Sequence, residues 1–469
     1  MRIELNRIPR LRNLCLLLGV FVGCLLCTEV RAEGLLELWE RVVVSNPTLM
    51  MSEHQVEQAR AQRDQALSKL LPNAGIKGYY GFNALNKDIN SGGFKLYGPA
   101  TQQYQGYYGS LQINQALFDL PSYINLQSAD KTTQQREQYA LAQRMQIAYQ
   151  MVDSYLAILE SNDMISQLEA EKESVDVQID RLRHMHESQM AKVTDLYEIE
   201  AYGQAVETSL IESRHSRSIA TETLREITGV VAERLDPLNQ EEFPPLERNA
   251  DEWVEEALTG NPLLLSLEAG SEAAQKMIAS ANAQHLPTAS LGLGETISNT
   301  ITNGVQITPY NIGSATLNVN IPLYAGGGIE AGVRESVQEY QVTREKIEAG
   351  RRQIEKETRT AWFNVSTGHS RIDSSRKEYA FREKAKIAQE KSYELGAATI
   401  VNVLDAHRRM IKASTDFRKA KYEYIRSLVS LRLNAGSLAD LDLEAIAVWF
   451  RPNEPLESDR GKEKTLPRG

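Results

Sequence analysis

The apolar and polar positions of one stretch, Gly313–Tyr340, change their period partway along it. In its first part, apolar and polar side chains alternate strictly, which is typical of a strand with one apolar and one polar face. After Pro322 and the triple glycine Gly326–Gly328, apolar residues return every seven positions, which predicts a long helix with a coiled-coil-like seam. The alternating apolar residues are Ala315, Leu317, Val319 and Ile321, the polar ones are Thr316, Asn318 and Asn320, and the seven-residue series is Val333, Tyr340, Ile347, Ile354 and Ala361.

This change from strand to helix occurs twice, because Tyr107–Asn125 makes the same switch earlier in the chain. Two further signals are duplicated with it, an Asn-Pro pair and a Leu-Pro pair. The prolines of the two pairs are 25 residues apart in each copy, and the copies are offset by 215 residues. Such self-similarity predicts two copies of one unit, each built as helix, strand, loop, strand, long helix and return helix. The duplicated pairs are Asn46-Pro47 with Leu71-Pro72, and Asn261-Pro262 with Leu286-Pro287.

The helical parts are predicted to be longer than those of most globular proteins. No proline occurs within residues 122–236 or 323–451, and proline is the strongest helix breaker. A helix over residues 122–188 would be roughly 100 Å long at about 1.5 Å per residue. The long helices are expected to turn back at Gln189–Lys192 and Gly396–Ala398, and the return helices to end near Gly229 and Gly436.

The N-terminus, residues 1–32, is predicted to be a secretory signal peptide, since arginines precede the apolar run Leu14–Cys27 and a Val30-Arg31-Ala32 site. Its removal takes away five Arg and two Glu, so the net charge goes from −10 to −13. An acidic chain of this kind is not expected to bind nucleic acid. All three cysteines lie in this segment, which excludes disulfides and thiolate metal sites from the mature chain.

The mature sequence contains no apolar run of about 18 residues, so a membrane would have to be crossed by strands. A spanning sheet must close, and the smallest closed barrels need about eight strands. One chain supplies four, which predicts a barrel shared between two or three chains. Helices continuing every strand would extend that barrel as a tube with an open lumen. The predicted fold class is therefore mainly α with a small β part.

With these features, the chain resembles the TolC family of outer-membrane efflux proteins over nearly all of its mature length. The resemblance rests on the duplicated Asn-Pro and Leu-Pro pairs, the switch Pro322–Gly327 and the segment Tyr393–Ala406 (YELGAATIVNVLDA). It implies a homotrimer with a twelve-stranded membrane barrel and a periplasmic helical barrel, in the outer membrane lipid of a Gram-negative cell. It also implies docking with a periplasmic adaptor and an inner-membrane pump.

The resemblance also implies which residues form the inner aperture of the tunnel. Family members commonly carry acidic residues at the positions of Asn402 and Asp405, so Asn402 is a departure and one charged ring is expected. Ala398 stands where a well-known member has an arginine that helps to hold the aperture shut. Asp195 occupies the matching partner position, with Tyr393 as a neighbouring contact. The expected adaptor-contact positions at the helix tips are Met190, Ala191, Lys192, Gly396, Ala397 and Ala398.

The chain divides by these patterns into five segments. Residues 1–32 are the signal peptide, 33–230 the first repeat and 231–260 an acidic connector expected at the equator of the tunnel. Residues 261–435 are the second repeat, and 436–469 are an equatorial segment with a Pro- and charge-rich tail that is expected to be disordered.

No candidate chemistry competes with the tunnel interpretation. The seven histidines are scattered without HExxH spacing, and no nucleophile–base or paired-carboxylate motif is present, so neither a metal, a cofactor nor an enzymatic reaction is predicted. The alternative from another class is a periplasmic coiled-coil adaptor without a pore, which the duplicated strand pairs disfavour. Drug efflux, metal efflux and protein secretion all remain open as the exported cargo.

Overall fold

The computed structural model of the chain describes residues 34–86 and 101–450, except 233, 241, 300, 303–304, 307–308 and 439. The predicted signal peptide, most of the first interstrand loop and the predicted disordered tail lie outside the described residues. Within the described ranges, no helix combines the length and the apolar character that crossing a membrane requires.

The described chain contains helices of 8 to 68 residues and four long strands. In the first half the elements are α1 (Leu35–Ser45), α2 (Pro47–Ser68), β1 (Asn73–Asn86), β2 (Thr101–Phe118), α3 (Leu120–Glu187) and α4 (Val193–Thr228). In the second half they are α5 (Ala250–Gly260), α6 (Pro262–Ala283), β3 (Thr288–Asn299), β4 (Tyr310–Asn320), α7 (Gly328–Glu394), α8 (Ile400–Ala435) and α9 (Asp440–Ala447). A two-residue ladder of Ile301–Thr302 with Val305–Gln306 lies between β3 and β4.

The predicted duplication is confirmed element by element. Helices α2 and α6 each have 22 residues, α3 and α7 have 68 and 67, and α4 and α8 each have 36. Both return helices end at a left-handed glycine, Gly229 with φ 75° and Gly436 with φ 75°. The expected helix seams are also buried, as Tyr155 and Ile354 illustrate.

The four long strands form one antiparallel sheet in the order β1-β2-β3-β4. The central pair, β2 with β3, joins the two copies, and in its register Leu111 faces Glu295. A bulge interrupts this pairing between Ala116 and Phe118, where β2 approaches the long helix. Strands β1 and β4 are the two edges of the sheet, and among the described residues each has a ladder partner on one side only.

The two copies make the same strand-to-helix switch with different turn chemistry. In the first copy, β2 is separated from α3 by Asp119 alone, whose Oδ1 accepts a hydrogen bond from the Ser122 backbone N–H at 3.0 Å. In the second, Gly326 and Gly327 adopt φ of 64° and 80°, a conformation that side-chain-bearing residues disfavour. The triple glycine is thus the predicted turn before a helix.

The chain forms two compact units, the first made of residues 34–47, 144–255 and 357–450 within its described part. In this unit the Tyr155 hydroxyl donates to the Asp236 carbonyl at 2.9 Å, and its ring meets Phe450 edge-on at 5.3 Å. The indole N–H of Trp39 donates to Asp440 at 2.9 Å. Trp39 of α1 and Tyr155 of α3 therefore both contact the C-terminal part of this unit, residues 440–450.

The second unit comprises residues 48–143 and 256–356, and contains the sheet. Its helices approach closely through small side chains. The Ser128 hydroxyl of α3 donates to the Ala273 carbonyl of α6 at 2.9 Å, and the Ser280 hydroxyl donates to the Pro121 carbonyl at 3.0 Å. These two bonds hold α6 along the first part of α3.

Candidate functional site at the tips of the helical hairpins

The two helical hairpins of the first unit turn back through the same backbone motif. In the first turn the Gln189 N–H donates to the His186 carbonyl at 2.9 Å, and the Met190 N–H donates to the Met185 carbonyl at 2.7 Å. In the second turn the Gly396 N–H donates to the Tyr393 carbonyl at 2.9 Å and the Ala397 N–H donates to the Ser392 carbonyl at 2.8 Å. This pair of bonds is the Schellman motif, which needs one left-handed residue. That residue is Gly396 in the second turn, with φ 74°, and Gln189 in the first, with φ 58°.

An apolar cluster joins the tips of the hairpins into one packed structure. It draws buried residues from α3, α4 and α8, with Tyr393 of α7 and Ala191 of the first turn packed against it. Burial of each such side chain stabilises the packing by roughly 1.5–3 kcal/mol. Its members are Ile165, Leu168, Val175 and Leu182 of α3, Leu196, Ile199, Tyr202, Val206 and Leu210 of α4, and Ile400, Val403 and Leu404 of α8.

The predicted aperture residues Asn402 and Asp405 lie on the exposed side of α8, within its first two turns. The Asn402 side-chain oxygen accepts a hydrogen bond from the Thr399 hydroxyl at 2.6 Å. The Asp405 carboxylate forms an ion pair with Arg409 at 2.7 Å, with 51% and 59% of the two side chains exposed. Asp405, the acid expected to form the charged ring, is therefore paired with a cation one turn away.

Basic residues also surround this position. Asn402 and Asp405 line a cavity of about 430 Å³ between α7 and α8. The charged groups in its lining are three arginines and two acids, so the local charge is not acidic. They are Arg382, Arg408 and Arg409, with Glu198 and Asp405.

The structure brings the predicted pair Asp195 and Tyr393 together. Both line a cavity of about 520 Å³ between the hairpin tips, together with Met190, Ala191 and Lys192 of the first turn. Burial raises the pKa of the Tyr393 hydroxyl, and the Asp195 carboxylate raises it further, while Arg181 partly offsets both. Gly396, Ala397 and Ala398 form the second turn, where Met190 has its counterpart in Ala397.

Sequence reasoning passed over the most deeply buried polar group of the tips, His407 of α8. Its ring is 1% exposed and contacts carboxylates of two other helices, Glu171 of α3 and Glu390 of α7. The signal was available in the pattern. His407 lies four residues after Val403 and three after Leu404, so it interrupts the apolar stripe of the helix.

Comparison with known proteins identifies the class of this chain. The family model for outer membrane efflux proteins matches residues 38–230 and 253–437. Outer membrane protein TolC of Salmonella enteritidis is 26% identical over 441 residues, covering 92% of this chain and 88% of that protein. Proteases secretion protein PrtF of Dickeya chrysanthemi is 24% identical over 432 residues, covering 90% and 92%. The Campylobacter jejuni CmeC outer membrane channel has the same fold, with a TM-score of 0.77, 14% identity and coverage of 89% and 90%.

The chain therefore belongs to the outer membrane efflux protein family. It is an outer-membrane channel for efflux or secretion in a Gram-negative cell, with a periplasmic tunnel. The predicted family resemblance, class and location are confirmed, and the comparisons give no support to the coiled-coil adaptor alternative. The relatives are efflux and secretion proteins rather than enzymes.

Proposed function

We propose that this chain is one third of a homotrimeric, passive export conduit with a twelve-stranded barrel. The observation that carries the proposal is the four-stranded sheet, in which the edge strands β1 and β4 each have a ladder partner on one side only within the described part of the chain. Unpaired backbone groups at a sheet edge are costly within a bilayer, so spanning sheets close into barrels. Three copies of four strands meet the requirement, because even-numbered barrels of eight or more strands close.

A trimer also suits the helical part better than a dimer does. Each chain contributes four long helices, and packed helices lie about 8–10 Å apart. Twelve helices in a ring would give a circumference of roughly 120 Å, against roughly 80 Å for eight. The larger ring leaves an open lumen, which a conduit for drugs, metal ions or proteins requires.

We propose further that the periplasmic aperture lies at the hairpin tips, where Asn402, Asp405, Asp195 and Tyr393 are found. The two Schellman turns would contact a periplasmic adaptor through Met190–Lys192 and Gly396–Ala398, and the adaptor would connect the channel to an inner-membrane pump. In this arrangement the pump selects the cargo, and the channel itself catalyses no reaction. Drug, metal and protein cargo are all compatible with it, and the protease secretion relative supports protein cargo as one of the three.

Single-channel recording in planar bilayers tests the position of the aperture. Three copies of Asp405 around one axis would attract cations. Asp405→Asn is therefore expected to lower cation selectivity, measured as the reversal potential in a salt gradient, and to weaken block by multivalent cations. Asn402→Asp, which adds a carboxylate one turn nearer the tip, is expected to strengthen both.

The matched control is Asp251→Asn, which removes an exposed carboxylate of α5, far along the sequence from either tip. It is expected to leave selectivity and block as they are in the wild type. If Asp405→Asn behaves like this control, the acidic ring is not at Asp405 and the proposed position of the aperture is wrong.

A further inference from the structure

The buried histidine of the hairpin tips, His407, bridges two carboxylates on opposite sides of its ring. Nδ1 lies 2.9 Å from Glu171 Oε1, and Nε2 lies 2.7 Å from Glu390 Oε1. Both are hydrogen-bond distances. The Glu171 carboxylate is itself buried, and the Glu390 carboxylate is about one-third exposed. The ring therefore holds α8 to α3 on one side and to α7 on the other.

The two contacts require a proton that a neutral ring does not supply. A neutral imidazole has one donor and one acceptor nitrogen, and an ionised carboxylate only accepts. Both contacts can be hydrogen bonds only if the ring carries two protons, or if one of the carboxyl groups is protonated. In both cases the three side chains together hold one proton more than a neutral histidine between two ionised carboxylates.

The other groups packed around this bridge include a donor that keeps Glu171 ionised and a cation beside Glu390. The Tyr202 hydroxyl of α4 donates to Glu171 Oε1 at 2.9 Å, and burial first, then the Glu171 charge, raises the pKa of Tyr202, so it stays protonated and remains a donor. Burial alone would raise the pKa of Glu171. The bond and charge of His407, the Tyr202 bond and the Lys386 charge together outweigh burial and lower that pKa. Glu171 is thus held as an anion. On α7, the Lys386 ammonium lies 3.7 Å from Glu390.

One further cation lies beside the bridge on α8 itself. The Arg408 guanidinium stands over the Tyr202 ring, 5.1 Å from its centroid. The facing groups are therefore Glu171 from α3, Tyr202 from α4, Lys386 and Glu390 from α7, and Arg408 from α8. All four helices of the tip contribute to the surroundings of a single buried ring.

We propose that Glu171, Tyr202, Glu390 and His407 form a proton-dependent clamp that holds α8, and with it Asp405, against the other three helices of the tip. His407 is a positioning residue in this clamp. The link to channel opening rests on the proposed function, since it assumes that the aperture opens when α8 moves. The clamp itself rests only on the contacts within the first unit.

The pH dependence of the clamp follows from these protons. At alkaline pH the extra proton is lost, and one hydrogen bond becomes a contact between a ring lone pair and a carboxylate, which repel each other. The clamp therefore loosens as the pH rises. At the acid limit, the contribution of Glu171 is present above its ordinary pKa of 4.5 and is lost as the pH falls through its lowered pKa. Measurements between about pH 5.5 and 9 keep Glu171 ionised.

The test uses the full-length channel in planar bilayers, with open probability recorded across that pH range. The wild type is expected to open more often as the pH rises. A rise of roughly tenfold in the ratio of open to closed channels corresponds to a roughly tenfold difference in proton affinity between the closed and open forms. His407→Gln, which cannot take up the proton, is expected to be open at all these pH values with no pH dependence. The control is His184→Gln, at an exposed histidine of the other hairpin, on α3, and this variant is expected to show the pH dependence of the wild type.

Glu390→Gln keeps the test decisive if His407→Gln fails to assemble, because Glu390 lies at the accessible side of the bridge. Removing its negative charge disfavours the protonated clamp, so the midpoint of the opening curve is expected to move to lower pH. A wild-type channel whose opening does not change with pH overturns the proposal. So does a His407→Gln channel that keeps the wild-type curve.

A second readout separates the clamp from the position of the aperture. No cysteine follows Cys27 in the sequence, so Ala397→Cys places one environment-sensitive fluorophore on the second turn. Its emission is expected to change with pH in the wild-type background and to stay constant with His407→Gln. If Asp405→Asn leaves ion selectivity unchanged but this emission still titrates, the aperture assignment fails and the clamp stands.

Discussion

At the residue scale, Asp405, the acid predicted at the aperture, is not an isolated charge. Asp405 is paired with Arg409 on the next turn of α8, and both side chains are about half exposed. Exposed pairs of this spacing are worth only about 0.3–0.5 kcal/mol, so the pair contributes little to folding. Its main effect is electrostatic, because the guanidinium cancels much of the field that Asp405 would exert on a passing ion.

Removing that cation is expected to unmask the acid. Arg409→Gln is predicted to increase cation selectivity and multivalent-cation block, in the same direction as Asn402→Asp, because Asp405 then acts unpaired. The reversal potential in a salt gradient measures this. Arg41→Gln breaks an exposed pair of the same spacing, with Glu37 on α1, and is expected to have no effect. A fall in selectivity with Arg409→Gln would contradict this account.

The two tip turns offer a second residue-scale prediction. Gln189 and Gly396 occupy the same left-handed position of the same motif. A side chain in this conformation costs roughly 1 kcal/mol, and a Cβ at Gly396 would meet no atom within 4 Å, so conformation alone decides the effect. Gln189→Gly is predicted to raise the free energy of unfolding by about 0.5–1 kcal/mol, and Gly396→Ala to lower it by about 1 kcal/mol.

Thermal unfolding in detergent measures the two changes, and hydrogen exchange at the tip amides locates them. Gly332→Ala is the control for Gly396→Ala, because Gly332 lies in α7 with open space at its Cβ position and no positive φ. In a helix interior this replacement is expected to stabilise by up to about 1 kcal/mol. Equal effects at Gly332 and Gly396 would show that the left-handed turn is not formed.

At the scale of elements, the sheet has two chemically distinct faces. Leu317 and Val319 alternate with Thr316 and Asn318 along β4, and the register pairs Leu317 with Leu291 on β3. Apolar side chains thus line up across strands on one face, as cross-strand pairing requires. In the proposed barrel this face meets lipid and the Asn and Thr face meets the lumen.

Arginine substitutions on adjacent residues of β4 test this sorting. Val319→Arg is predicted to reduce assembly in the outer membrane, because an arginine on the lipid face costs about 2–4 kcal/mol at the bilayer midplane. Asn318→Arg places the same charge toward the lumen and is expected to assemble normally. The amount of heat-resistant oligomer in outer-membrane fractions is the measurement, and equal losses for both variants would refute the orientation.

One residue departs from this sorting. Glu295 of β3 lies on the apolar face, between Leu293 and Ile297, and its register partners are Leu111 and Gly313. Because Gly313 has no side chain, the Glu295 carboxylate has space next to it. Its Oε2 lies 3.7 Å from the position that a Cβ atom on residue 313 would occupy. We expect Glu295→Gln to raise the thermal stability of the assembled channel if this face meets lipid, and to leave it unchanged if the face meets water.

At the scale of the whole molecule, the open edges of the sheet predict how the copies join. Successive backbone N–H groups of a strand point to opposite neighbours, so along β4 alternate residues face β3 and the outer side. Proline lacks this donor. In an edge strand it is tolerated only where the N–H of the residue that it replaces would face away from the sheet. If the next protomer pairs with β4, the N–H groups on both sides of the strand form hydrogen bonds, and proline is not tolerated at either kind of position.

Proline at two adjacent small residues therefore tests the shared barrel. Ser314→Pro and Ala315→Pro are both predicted to abolish assembly, because one removes a bond to β3 and the other a bond to the neighbouring copy. Ser314→Ala and Ala315→Ser are the matched controls and are expected to assemble. The mass of the detergent-extracted protein is the measurement, with a trimer expected for the wild type. A stable monomer, or full assembly of one proline variant, would show that the edge is unpaired.

Much of the architecture could be predicted from local sequence signals. The change of period at Gly313–Tyr340, the paired prolines and the glycines at 229, 396 and 436 located the strands, helices and turns of both copies, because these features depend on neighbouring residues in the chain. The number of long strands per chain followed from the same pattern, and closure of the sheet by other copies stays a prediction from it. The class of protein followed from the duplicated motifs taken together.

The environments of individual side chains depended on the tertiary structure. His407 interrupts an apolar stripe in the sequence, but its two partners are 236 and 17 residues away and lie on different helices. No local period encodes those distances, since they are set when four helices pack at the tip. The same holds for Glu295, because one of its two partners across the sheet, Leu111, comes from the other copy of the repeat. Local periodicity determined the elements of this protein, and the long-range packing of those elements decided which charges are paired, which are buried and where a proton can be held.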